Sequence, residues 1–149
     1  MQVNGLSKLS KIADRFPEVS EKHIGKGIQR ALVRLWGAEK KEAPVSTGFL
    51  RDAWNITVGR FEGKLTSNAS YSAAVHEGTR PHFVSGTVLT PWAKRNGANP
   101  WAVSKSIAKH GTKANPFFSR AIANTEDAVG KEFQTAIDAI LSEVTGYTD

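Results

Sequence analysis

Apolar positions along this chain recur at helical spacing near both ends and alternate in between. Leu6, Leu9, Ile12 and Ala13 predict a short helix over residues 4–15. Phe16-Pro17 is expected to break it, because the residue before a proline is driven out of the α region. Pro17 then suits the first turn of a second helix, with Glu18 and Glu21 near its positive end. That helix carries Ile24, Ile28, Leu32, Leu35 and Trp36 on one stripe and is locally weakened by Gly25 and Gly27. It is expected to end near Ala43, before Pro44. After a turn over residues 44–49 the period changes. From Leu50 onward Trp54, Ile56 and Val58 alternate with Asn55 and Thr57, the pattern of a half-buried strand. Residues 59–63 read as a hairpin turn and 64–68 as the return strand, with Leu65 inward.

Residues 71–77 fit either a strand or a short helical turn, and 78–81 carry a loop signal. Residues 82–89 read as extended, and a helical turn is expected over 91–96. Pro100 opens an amphipathic segment with Trp101, Val103, Ile107 and Ala108 apolar and Lys105 and Lys109 polar, capped by Gly111. Asn115 suits an N-cap and Pro116 a first helical residue. The final helix places Phe118, Ile122, Val129, Phe133, Ile137, Ile140 and Val144 on its apolar stripe and is expected to stop near Gly146. Together these elements predict an α+β fold. A small antiparallel sheet is flanked by a long N-terminal and a long C-terminal helix, with a basic loop/helix insertion at about 80–115.

A length of 149 residues suits a single domain, 1–149, with residues 1–16 as a short N-terminal helical arm. With 40% hydrophobic and 23% charged residues, neither disorder nor a coiled coil is indicated. The absence of cysteine excludes disulfides, thiolate metal sites and cysteine catalysis. No apolar run is long enough for a membrane helix. The first fifteen residues lack the apolar core and cleavage site of a signal peptide. Charge is distributed unevenly. Residues 1–115 hold 18 Lys/Arg against 8 Asp/Glu, whereas 116–149 hold 2 against 6. The extreme stretch, 78–115, contains Arg80, Lys94, Arg95, Lys105, Lys109 and Lys113 and no acid. Such asymmetry points to an anionic partner, to an acidic tail meeting a basic body, or to a solvated basic surface.

Candidate chemistry is sparse. The four histidines, His23, His76, His82 and His110, form no metal-ligand spacing. His76, Glu77 and His82 could supply three ligands, but neighbours on a strand point to opposite faces. Residues 59–64 faintly resemble a phosphate loop, with too few residues between the glycines and Leu65 where Ser or Thr would be needed. Ser85-Gly86 lacks the frame of a nucleophile elbow. Glu62 and Glu77 read as solvated carboxylates rather than an acid–base pair. Phe83, Trp92 and Trp101 interleave the six basic residues of 78–115, a composition that suits base stacking and phosphate tracking. The apolar periodic settings of Trp92 and Trp101 favour burial in the core instead.

Three further stretches carry a resemblance. The first is Ala43-Pro44-Val45-Ser46-Thr47-Gly48-Phe49-Leu50-Arg51. The second is Tyr71-Ser72-Ala73-Ala74-Val75-His76-Glu77-Gly78-Thr79-Arg80-Pro81. The third is Asn115-Pro116-Phe117-Phe118 followed by a long helix. In this order the chain, over about residues 20–145, resembles the tail-completion, or head–tail joining, proteins of long-tailed bacteriophages. That group includes minor tail proteins of the Z type. The family pattern is roughly A-P-V-x-T-G-x-L-R, then Y-A-x-x-V-E-x-G-T, then x-P-F. Here Ser72 replaces an alanine, and the acid, Glu77, stands one place nearer the glycine.

The resemblance implies a non-catalytic virion protein without a cofactor, made in the bacterial host cytoplasm and located at the head–tail junction. It implies a homo-oligomeric ring, expected to be a hexamer. Its partners would be neighbouring neck, connector and tail-tube or tail-terminator proteins, with genomic DNA in the channel as a further candidate. The motif residues Pro44, Thr47, Gly48, Leu50, Arg51, Tyr71, Glu77, Gly78, Thr79, Pro116 and Phe117 read mainly as fold-maintaining turns and anchors. The interface or channel candidates are Arg80, Lys94, Arg95, Lys105, Lys109 and Lys113. On this resemblance they would face either the acidic final helix of the next subunit or DNA. The alternative reading is a stand-alone, non-specific DNA-binding accessory protein.

Overall fold

The structure, a computed structural model, describes residues 4–146, with side chains described from Lys8 onward. Leu6, part of the expected first stripe, lies outside the described side chains. The elements run α1 (Asn4–Glu42), α2 (Phe49–Asp52), β1 (Trp54–Val58), β2 (Gly63–Ser67), α3 (Ser72–Glu77), α4 (Gly86–Arg95), α5 (Pro100–His110) and α6 (Phe117–Gly146). The α+β class is as expected: two long terminal helices and a two-stranded antiparallel sheet. The chain folds as two compact units. Unit 1 comprises Met1–Ala38, Asn55–Thr66 and Ala123–Asp149, and unit 2 comprises Glu39–Trp54 and Ser67–Ile122. Both α1 and α6 therefore contribute residues to each unit.

Unit 1 is a helix pair with the β1–β2 hairpin. The break expected at Phe16-Pro17 does not occur, and α1 runs unbroken with Pro17 inside it. Proline removes one helix hydrogen bond and crowds the preceding turn. Ala13, Phe16 and Pro17 are exposed, so water can serve the carbonyl that loses its donor. Packing carries the helix across the defect, since Ile12 and Val19, on either side of it, both pack into a cluster with Ile140 and Val144. Farther along, Gly27 lets α1 approach α6 closely. A Cβ at Gly27 would lie 3.1 Å from that of Ala136. Beside this approach Glu132 of α6 is buried and accepts hydrogen bonds from Arg30 Nε (2.7 Å) and Arg34 Nε. Lys22 (2.9 Å) and His23 (2.6 Å) converge likewise on Glu143. The Arg34 guanidinium, then Arg30, holds the Glu132 carboxyl below its usual range, and Lys22 and His23 do the same for Glu143.

The seam of α6 differs from the expected stripe. Its buried residues are Phe117, Ala121, Thr125, Glu132, Ala136, Ile140 and Val144, while Ile122, Phe133, Ile137 and Leu141 are exposed. Small and polar residues form most of the contact face, because close helix approach favours a small side chain over a large one.

Unit 2 has its own core of Ala43, Leu50, Ala69 and Phe117, with Ala53, Trp54, Val75 and Phe118 packed against it. Helix α1 ends at Glu42, as expected before Pro44. An unexpected short helix, α2, then precedes β1, entered through Gly48 at φ 83°. Residues 72–77, read as strand or helical turn, form α3. Residues 86–89, read as extended, belong to α4, which Ser85 caps by accepting from Thr87 N. Helix α5 starts and stops as expected, with Asn99 capping its N-terminus and Gly111 following its end. Helix α6 begins at Phe117, one residue after the expected start.

Glu39, in the last turn of α1, is fully buried in unit 2, and neither carboxylate oxygen has a hydrogen-bond partner. Burial pushes its pKa from 4.5 up to about 7; the Trp54 side chain and the Lys40 charge only partly oppose this. A raised folded-state pKa contributes stability below the unfolded value that is lost as pH rises through about 7. Glu39→Gln is therefore expected to flatten the stability profile between pH 5 and 8. Relative to the parent, it should gain on the order of 2 kcal/mol by the alkaline end. Denaturant midpoints at the two pH values measure this, and parallel profiles for the two proteins would contradict it.

Candidate functional site

The three stretches that carry the resemblance meet in unit 2. Pro44, Thr47, Gly48 and Leu50 from the first line one side of a groove of about 540 Å³. Tyr71, Val75 and Thr79 from the second and Asn115 from the third line another. The insertion supplies the remaining wall, chiefly Leu89, Trp92 and Ile107, with Lys113 at the edge.

The motif residues mostly build this frame. Leu50 and Phe117 are buried at 4% and 1% exposure. Phe118 stacks on Trp54 at 5.2 Å between ring centroids, and the Trp54 indole N–H donates to the Leu50 carbonyl. Tyr71 tilts against Phe49, and Arg51 pairs with its neighbour Asp52. Glu77 is exposed at the end of α3. Pro116 lies just outside α6, and its carbonyl accepts from Arg120 N. Arg120 in turn binds Glu42 (2.7 Å) and the Asn115 side chain (2.8 Å), tying the start of α6 to the end of α1.

The basic insertion is closed at its base by a clasp. Thr79 and Thr112 form an isolated antiparallel bridge, N–H to carbonyl in both directions at 3.1 and 3.2 Å, and their hydroxyls meet at 2.9 Å. Glycine flanks the bridge on each strand. Gly78 has φ 77° and a built Cβ would sit 2.5 Å from the Thr112 carbonyl oxygen. Gly111 has φ 73° and its Cβ would sit 1.8 Å from the Thr79 carbonyl oxygen. Beyond the clasp, α4 and α5 pack together, and their buried residues are the small Gly86, Ala93 and Ser104. Gly86 leaves room for the Trp101 ring, and Ser104 Oγ donates to the Val84 carbonyl at 2.6 Å.

This packing corrects the expectation that Trp92 and Trp101 are core residues. They are 40% and 58% exposed, and Phe83 is 78% exposed. A hairpin joined through glycine, alanine and serine leaves its large rings outside. Trp101, Lys105 and Lys109 follow one another at four-residue spacing on α5, all exposed. None of the six basic candidates forms an ion pair among the described residues, although Arg95 donates to Ser46 Oγ (3.1 Å) at the groove.

The remaining chemical candidates are dispersed. His76 faces Ser119 (3.3 Å) and the edge of Phe117, and His82 turns to the Arg80 carbonyl and Thr79. No group of three His, Asp or Glu among the described residues is placed to hold a metal. Residues 59–62 form the hairpin turn, closed by Gly59 N to the Glu62 carbonyl, and lead into a strand rather than a phosphate-binding helix. Glu62 belongs to unit 1 and Glu77 to unit 2. No helix among the described residues is long and apolar enough to cross a membrane. No family model, curated protein or solved structure matches this chain.

The clasp yields a direct prediction. Gly111→Ala places a methyl group against a carbonyl oxygen at a positive φ and is expected to cost at least about 1–3 kcal/mol. Amide exchange should accelerate most at Thr79 and Thr112. Unchanged protection at those two amides would show that the bridge does not depend on Gly111.

Proposed function

We propose that this chain is a structural subunit of a tailed-bacteriophage neck, a ring-forming protein that completes the tail and joins it to the head connector. The observation that carries this reading is the convergence of the three resemblance-bearing stretches. Although as many as 73 positions separate Ala43 from Pro116, all three contribute to one core cluster and one groove. Their convergence supports reading the three stretches as one structural frame. The proposed role is architectural, with the groove and the unpaired cations of the insertion as the contact surface for neighbouring protein. In the corresponding phage, deleting the gene is expected to leave full heads and finished tails unjoined in electron micrographs, with infectivity restored by the gene in trans. Normal joining without the gene would refute the role.

The α5 face favours a second reading, non-specific DNA contact. An exposed Trp101 one turn from Lys105 and two from Lys109 offers a stacking surface beside phosphate-binding charge. On this reading, duplex binding weakens steeply with salt, and Lys105→Ala with Lys109→Ala lowers the log–log salt slope by about 2. The absence of binding at low salt would rule it out.

A further inference from the structure

Helix α6 is more apolar than its buried seam requires. Phe133, Ile137 and Leu141 follow at four-residue spacing and are 38%, 49% and 57% exposed. That spacing places them on one helix face. Gly130 sits on the same face, three residues before Phe133, and a Cβ there would meet nothing within 4 Å. A mid-helix glycine costs about 1 kcal/mol relative to alanine. No contact among the described residues accounts for it, whereas close approach of another molecule would. Acidic residues, Glu126, Asp127 and Asp138, accompany the strip and are all exposed. The other two described acids of this half of α6 are committed within unit 1, Glu132 to Arg30 and Arg34, Glu143 to Lys22 and His23.

The groove of unit 2 has the complementary character. Its walls are mainly aliphatic and aromatic, and its edge is basic, with Lys113 lining it and Arg95 bonded to the lining Ser46. Its volume of about 540 Å³ is in the range that accepts a compact apolar body. Unit 2 carries ten Lys/Arg and four Asp/Glu, whereas unit 1 carries ten of each, so the entire +6 of the chain resides in unit 2. From Ala123 onward, by contrast, the chain holds one Lys and six Asp/Glu.

We propose that the Phe133–Ile137–Leu141 strip of one copy docks into the unit 2 groove of a second copy. The proposal rests on the ring-forming reading and specifies its contact. Two different patches on each copy make the contact heterologous, the type that propagates and closes into a ring when the rotation allows. Charge complementarity selects the partner. A nucleic acid would meet the acidic flank of α6 unfavourably, and a like-with-like pairing of two strips would oppose Glu126, Asp127 and Asp138 to each other.

The absence of cysteine from the sequence provides a clean test. Gln134→Cys lies beside the strip and Lys113→Cys at the groove edge, both at exposed positions. A mixture of the two single variants, treated with a short bis-maleimide, is expected to give mainly mixed 134–113 dimers. Adding Ile137→Lys to the Gln134→Cys chain should reduce that yield by about tenfold or more, the effect of charging a central apolar anchor. Its circular dichroism should remain that of the parent. Predominant 134–134 or 113–113 products, no cross-linking, or a yield insensitive to Ile137→Lys would each overturn the proposal. The neck reading is judged separately by head–tail joining. A gene required for joining whose product gives no mixed cross-link retires this contact alone, whereas mixed cross-links from a gene dispensable for joining retire the neck role alone.

Discussion

Unit 1 depends on the close approach of α1 and α6 around Gly27 and Ala136. At that distance little room remains for large side chains between the helices, and the seam is filled by alanine, threonine and a carboxylate. Glu132 is tolerable there because two guanidinium groups donate to it from successive turns of α1. Burying a charge is unfavourable unless it is paired and hydrogen-bonded, and this one is both. Apolar packing accounts for the fate of Pro17: with Ile12 and Val19, on either side of the proline, held in one cluster with Ile140 and Val144, losing one hydrogen bond does not end the helix.

The two units respond to pH in opposite directions. In unit 1, Glu132 and Glu143 have depressed pKa values, so the stability they provide is present above the ordinary carboxylate range and is lost as pH falls through their folded values. In unit 2, Glu39 is buried without a hydrogen-bond partner and favours its neutral form, so its contribution fades as pH rises through about 7. A buried acid with no partner is costly. It lies in the last turn of α1, where the chain leaves the helix for the first resemblance-bearing stretch.

Features set by local chemistry were legible in the sequence. Alternation at Trp54, Ile56 and Val58 marked β1, Pro100 and Gly111 delimited α5, and the loop signal over 78–81 falls where Gly78 takes its positive φ. Features set by tertiary contact were not. Ile140 and Val144 lie on the α6 seam as expected, but its earlier part was read one residue out of place, because hydrophobicity favours Phe118, Ile122 and Ile137 whereas close packing selects Phe117, Ala121 and Ala136. The continuity of α1 was hidden for a similar reason, since its support comes from Ile140 and Val144, more than 120 residues away from Ile12 and Val19. Of the candidate site, the turns were readable but the groove was not. Its walls are scattered from Pro44 to Asn115 and converge through the unit 2 core and a bridge between Thr79 and Thr112.

That bridge also explains how a segment with six basic residues and no acid remains ordered without ion pairs of its own. Two backbone hydrogen bonds close its base, glycine on both strands permits the close approach, and small residues lock α4 to α5. Structure and charge are thereby separated: the insertion is fixed by uncharged contacts, and its cations are left unneutralised by the segment that carries them. In unit 1 the reverse holds, since arginine and lysine are spent on fixing helix to helix. A chain built this way directs its electrostatic attraction outward from unit 2. Because like-charged neighbours on a solvated surface repel one another, that arrangement is least costly when an anionic surface lies opposite.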